Sequence, residues 1–164
     1  AEWGPGSGVG AARISDIPAI APPVVVPEVR VAANQPGVQS DVNSDPGIGK
    51  QNPFQGYQAH YCSLPSRVDP QIIACSFINS GLRVFDIANV AKPREIAYFN
   101  KPIVLGSVPN QPLRAGAFAM SAPAYDQASG DIWYTDGNSG FYVVRLTGTA
   151  KHLPFATKVA FPGN

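Results

Sequence analysis

The sequence predicts an all-β fold, and three observations predict it. Of 164 residues, 16 are glycine and 17 proline, about a fifth of the chain and well above ordinary usage. Helix interiors tolerate neither residue, and no window combines sustained 3.6-residue apolar spacing with matching caps. From Gln55 onward, short runs rich in β-branched and aromatic residues alternate with turn-forming clusters.

Residues 1–54 read as an extended Pro/Gly-rich arm or linker. They hold seven glycines and eight prolines, a density found in segments that build no core of their own. Within them Val24 to Ala33 (VVVPEVRVAA) is β-branched and partly alternating. Pro27 cannot donate to a ladder, so this run is expected at a sheet edge. Two readings stay open: a mobile tail, or an arm that wraps over a partner or over other parts of the fold. The chain starts at Ala1 without a methionine, so it is expected to be a processed product or a fragment.

Residues 55–103 carry four predicted strands, in AHYCSL, IIACSF, LRVFDI and REIAYF, separated by PSRVDP, INSG and ANVAKP. Tight connections make this a β-meander. Residues 104–150 repeat the scheme with FAMSAPAY, DIWYT and FYVVRL, and residues 151–164 form a tail. The two units align at an offset of 59: Ile73 with Ile132, Asn79-Ser80-Gly81 with Asn138-Ser139-Gly140, Val84 with Val143, Ala91-Lys92 with Ala150-Lys151. Lys101 to Gly116 reads as a crossing loop between them. Four-stranded repeats of about 40 to 50 residues are the mark of β-propeller blades. The predicted architecture is therefore two four-stranded antiparallel blades of a β-propeller behind an extended arm. Asn79, Gly81, Asn138 and Gly140 suit hairpin turns, where asparagine and glycine accept positive φ. In the strand after the first turn, Leu82, Val84 and Asp86 share one face. Arg83, Phe85 and Ile87 share the other, with Phe85 and Ile87 expected between sheets.

SGLRVFDI followed by KPREIAYFN, with AHYC and IIACSF before it and IWYTDGNSGFYVVRL after it, resembles the LVIVD-repeat proteins over about residues 55–148. These are β-propellers distantly similar to selenium-binding-protein-like propellers. The resemblance implies a ring of about seven blades, exported or associated with the cell envelope, and no defined reaction. Two blades do not close a ring, and closure is how a propeller hides its apolar faces. The chain is thus expected to be the C-terminal part of a larger propeller. The missing cover would come from further blades, another chain or self-association.

Cys62 and Cys75 are the first chemical candidates. If their hairpin centres between Val68 and Asp69, the two lie directly opposite, within disulfide reach. Two reduced core cysteines are the alternative. His60 shares a face with Cys62 two residues on, so His60, Cys62 and Cys75 make a third reading, a zinc or copper site. Asp69, Asp126, Asp131 and Asp136 fall at predicted turns, where aspartate satisfies backbone donors. The run DGNSG (136–140) offers oxygens to calcium but lacks the regular spacing of a calcium loop. Trp133, Tyr134 and Tyr142 are candidates for a binding surface, against the plainer role of core filling. GxSxG, GxxxxGK[ST], HExxH and CxxC are all missing from the sequence. Twelve basic and eleven acidic residues leave a net charge of +1 and no run of like charge, which disfavours nucleic acid as partner. No segment approaches the ~20 apolar residues of a membrane-spanning helix.

The functional expectation is a non-catalytic binding or structural scaffold in an exported or cell-surface protein, without a cofactor. The alternative is a thiol- or metal-dependent enzyme of the selenium-binding-like type using His60, Cys62 and Cys75.

Overall fold

The computed structural model describes residues 12–16, 22, 24–29, 59–100 and 118–152. Among them are nine strands in three antiparallel sheets, two short 3-10 turns and no α-helix. β1 (Ala12–Asp16) pairs with β2 (Val24–Val29). β3 (Ala59–Ser63), β4 (Ile72–Phe77), β5 (Gly81–Asp86) and β6 (Arg94–Phe99) form a four-stranded meander in chain order. β7 (Ala124–Asp126), β8 (Asp131–Asp136) and β9 (Gly140–Arg145) form a three-stranded sheet.

The duplicated hairpin is in register residue for residue. β4 and β5 pair from Ile72 opposite Asp86 to Phe77 opposite Gly81; β8 and β9 pair from Asp131 opposite Arg145 to Asp136 opposite Gly140. Every pair in the second hairpin lies 59 residues beyond its counterpart, so Ile73 and Ile132 hold matching places. Both turns reverse on glycine, with φ of 75° at Gly81 and 108° at Gly140. At Gly81 a Cβ would also collide with the Phe99 carbonyl oxygen, so no larger residue fits. The asparagines do not share this conformation. Asp69 is the one described non-glycine residue with positive φ. In the first turn Ile78–Ser80 wind into a 3-10 turn, which leaves the reversal itself to Gly81.

Two parts depart from the sequence expectation. The second unit has three strands among the described residues rather than four. Its expected strand FAMSAPAY is broken: Ala119 makes an isolated bridge to Asp136, and regular pairing resumes only at Ala124. Pro123 has no N–H for a ladder. The Ser121 hydroxyl fills the gap, accepting from the Thr135 N–H at 2.7 Å and donating to the Thr135 carbonyl at 3.0 Å. The N-terminal region supplies a strand pair rather than one edge strand. Pro27 is tolerated because both strands of a two-stranded sheet are edges, and the β1–β2 register slips between Arg13 and Ser15. The crossing loop at 101–116, most of the arm and the tail beyond His152 lie outside the described residues.

The meander has two buried faces. On one, Cys75, Phe77, Phe85 and Ile87 pack with Ala59 against Ala12 of β1 and Val29 of β2. On the other, Ile72, Ala74, Leu82 and Val84 pack against Ala119, Ile132 and Tyr134 of the second sheet. Phe85 and Ile87 therefore face β1–β2, and it is Leu82 and Val84 that lie between the two repeated units. Each large apolar side chain buried this way contributes about 1.5–3 kcal/mol. Ile132 and Tyr134 are the counterparts of Ile73 and Cys75, so the second sheet turns its first face onto the second face of the first sheet. The units stack head to tail.

Candidate functional site

The first hairpin folds in the register that places Cys62 opposite Cys75, and the two form a disulfide with Cα atoms 4.0 Å apart. Among the described residues no cysteine is free. The bond ties the edge strand β3 to β4 and closes a 13-residue separation. His60 sits where the β3–β4 register slips between Ala59 and Tyr61. That bulge aims the imidazole at the second sheet, where Nδ1–H donates to the Met120 carbonyl at 3.0 Å. Both sulfurs are committed to each other and the His60 Nδ1 to a carbonyl. Among the described residues no three His, Cys, Asp or Glu side chains gather around one point.

His60 belongs to a seam of polar contacts between the sheets that the sequence did not announce. The Ala119 N–H donates to the Ile78 carbonyl at 2.9 Å. The Ser76 hydroxyl donates to the Ser121 carbonyl at 2.6 Å. Tyr125 reaches furthest: its hydroxyl accepts from the Ala74 N–H and donates to the Ser63 carbonyl, both at 2.7 Å. Ser63 and Ala74 are a cross-strand pair of β3 and β4, so this phenol is inserted into the ladder of the other sheet. Burial pushes its pKa well above the ordinary tyrosine value and keeps it a donor. The Gln127 amide adds a bond to the Pro65 carbonyl. The stretch 118–127, irregular up to β7, is thus a strap that fastens the second sheet to the first.

The DGNSG turn closes on itself. Asp136 is buried, and its carboxylate accepts from the Asn138 and Ser139 N–H groups at 2.9 and 3.0 Å and from the Phe118 N–H at 2.7 Å. Both carboxylate oxygens are engaged with backbone donors. At the far end of β8, Asp131 takes two bonds from the Arg145 guanidinium, at 2.7 and 3.0 Å. Arg145, then the Ser129 side chain, holds the Asp131 carboxyl below its ordinary pKa; Ser129 and the Ala128 amide do the same for Asp126. On the first sheet Arg83 bonds Glu95 at 2.8 Å and lies over the exposed Tyr98 ring, 4.8 Å from its centroid.

Trp133, Tyr134 and Tyr142 do not share a surface. Tyr134 and Tyr142 stack on each other between the sheets, with centroids 5.4 Å apart, and Phe99 packs on both rings. Trp133 points the other way. It joins Phe141 and Val143 on the outer face of the second sheet, where the three are 41%, 60% and 53% exposed. Alternation along β8 puts residues 133 and 134 on opposite faces, a signal the sequence already carried. The Trp133 and Phe141 rings meet edge to face at 76°.

No family model matches the chain, and no curated protein matches it significantly. Among the described residues no helix is long and apolar enough to cross a membrane.

Proposed function

We propose that this chain is a non-catalytic scaffold segment of β-propeller type, of the LVIVD-repeat kind, from an exported or cell-surface protein. The head-to-tail stacking of two in-register repeats carries this reading. It is an arrangement in which each sheet covers the next, and it leaves one sheet face for something outside the pair to cover. The disulfide favours an oxidising compartment. The polar side chains with chemical potential are spent on architecture: Cys62 and Cys75 on each other, His60 and Tyr125 on the inter-sheet seam, Asp136 on its turn. The partners of such a segment are further sheets, from the same propeller or from another chain.

The test is a thiol titration of the denatured, unreduced protein together with metal analysis. The scaffold reading expects no free thiol and no stoichiometric metal. Two free thiols with one bound zinc or copper per chain would replace it with the thiol- or metal-dependent enzyme.

A further inference from the structure

We infer that the Asp69–Pro70 peptide bond is a self-cleavage site, at which the Asp69 carboxyl cuts its own main chain and leaves two pieces joined by the Cys62–Cys75 disulfide. This chemistry goes beyond the scaffold role and does not depend on it.

Asp69 departs from the other turn aspartates. Asp126 and Asp136 spend their carboxylates on backbone N–H groups of their own turns, and Asp131 is held by Arg145. Asp69 is exposed in the connection between β3 and β4, and among the described residues its carboxylate has no hydrogen-bond or ion-pair partner. Its backbone is strained as well. The φ of 44° lies in the left-handed region, and the next residue is a proline. A proline ring pushes the residue before it to extended backbone, with φ of about −120°. The turn holds Asp69 against that preference. The Ser66 hydroxyl donates to the Val68 carbonyl at 2.9 Å and accepts from the Val68 N–H at 3.0 Å. Behind them the Ser63–Ala74 pair and the disulfide close the loop. Breaking the chain at Asp69 releases this strain.

One side chain is aimed at the bond itself. The Gln71 amide donates to the Asp69 carbonyl oxygen at 3.0 Å. Negative charge develops on that oxygen when a nucleophile adds to the carbonyl carbon, so the donor stabilises the addition. The nucleophile is the unpartnered carboxyl of the same residue, which reaches the carbon by closing a five-membered ring. A carboxyl oxygen bonds to the carbonyl carbon, the bond from that carbon to the Pro70 nitrogen breaks, and the acid proton passes to the nitrogen. The products are a cyclic anhydride at Asp69 and a secondary amine at Pro70. Water then opens the anhydride to two carboxyls. One water is consumed, and nothing is oxidised or reduced.

Intact-mass measurement of the full chain decides it. The folded protein is held at about pH 5, where the Asp126 and Asp131 contributions to stability are complete, beside the same protein in guanidinium chloride. Cleavage makes the unreduced protein one water heavier, and reduction separates residues 1–69 from 70–164. The folded protein should cleave at least ~10-fold faster than the unfolded one, because denaturant removes both the strained backbone and the Gln71 contact. Asp45–Pro46, the other Asp–Pro bond of the sequence, should match Asp69–Pro70 in denaturant and report the intrinsic rate. Gln71→Leu should slow cleavage by roughly 5-fold or more in the folded protein and leave the unfolded rate unchanged. Asp69→Gly accepts the same backbone conformation without a carboxyl and should abolish cleavage. Urea midpoints check that both variants fold. A folded-state rate equal to or below the unfolded one overturns the inference. So does cleavage that survives Asp69→Gly, or a folded-state rate indifferent to Gln71→Leu.

Discussion

Tyr125→Phe removes one oxygen atom and tests the seam between the sheets. The phenol satisfies the Ala74 N–H, which is wholly buried, and the Ser63 carbonyl, which is half-buried. In the variant the carbonyl finds water, but the amide has nothing to donate to unless β3 and β4 close up on each other. A buried donor left unsatisfied costs about 1–3 kcal/mol, and losing the bond to the carbonyl adds about 0.5–1 kcal/mol. The expected loss is thus about 2–3 kcal/mol, and at ~2–4 °C per kcal/mol for a chain of this size the melting temperature falls by roughly 5–10 °C. Urea titration should show a lower midpoint at unchanged slope. Amide exchange should show the Ala74 N–H losing protection while Val84, on the next strand, keeps it. Tyr98→Phe is the control, since that ring is 69% exposed and keeps its contact with Arg83. A Tyr125→Phe change under about 0.5 kcal/mol with Ala74 still protected would refute the reasoning, because the two strands would then pair without the inserted hydroxyl.

Four further outcomes follow from the same geometry. Asp136→Ala strips three backbone N–H groups of their acceptor and should cost about 2–4 kcal/mol in urea titration, with Asp136→Asn recovering part of it. Replacing Cys62 and Cys75 together by alanine should cost about 3 kcal/mol, the loop-closure entropy of a short cross-link, and reduction of the parent should match it. Ser80→Ala should be neutral or slightly stabilising on thermal melting, because among the described residues the buried Ser80 hydroxyl has no hydrogen-bond partner. Stability should fall at both pH extremes. The Asp126 and Asp131 pKa values are lowered in the fold, so their contribution is complete above the ordinary 3.8 and is lost as pH falls through the lowered values. The Tyr125 and Tyr134 values are raised, so their contribution is complete below the ordinary 10.0 and is lost as pH rises above it. Melting temperature across pH 2 to 11.5 checks both limbs.

What the sequence made legible was local and periodic. The Asn-Ser-Gly repeat marked two hairpins, and strand alternation with the turn centre put Cys62 opposite Cys75, because register in a short hairpin is set by its turn. What stayed hidden depends on contacts between distant segments. Nothing near Ala12 or Val29 announces that they cover Phe77 and Phe85, since the pairing crosses a long stretch of chain. FAMSAPAY looked like a strand by composition, and Pro123 was the residue to weigh against it. The hydroxyl of Ser121 standing in for a backbone group is a tertiary solution that no propensity encodes. Among the candidate residues, strand parity separates Trp133 from Tyr134, and Tyr142, one strand away, meets Tyr134 because the two are cross-strand partners.

The Cys62–Cys75 bond has a mechanical consequence. β3 is a border strand, held on one side only, and tension entering from the N-terminal direction would ordinarily peel it away one hydrogen bond at a time. The covalent link interrupts that unzipping at Cys62 and hands the load to β4, which is clamped on both flanks and must be sheared rather than peeled. The rim strand therefore cannot be stripped from its neighbour beyond Cys62 without breaking a covalent bond.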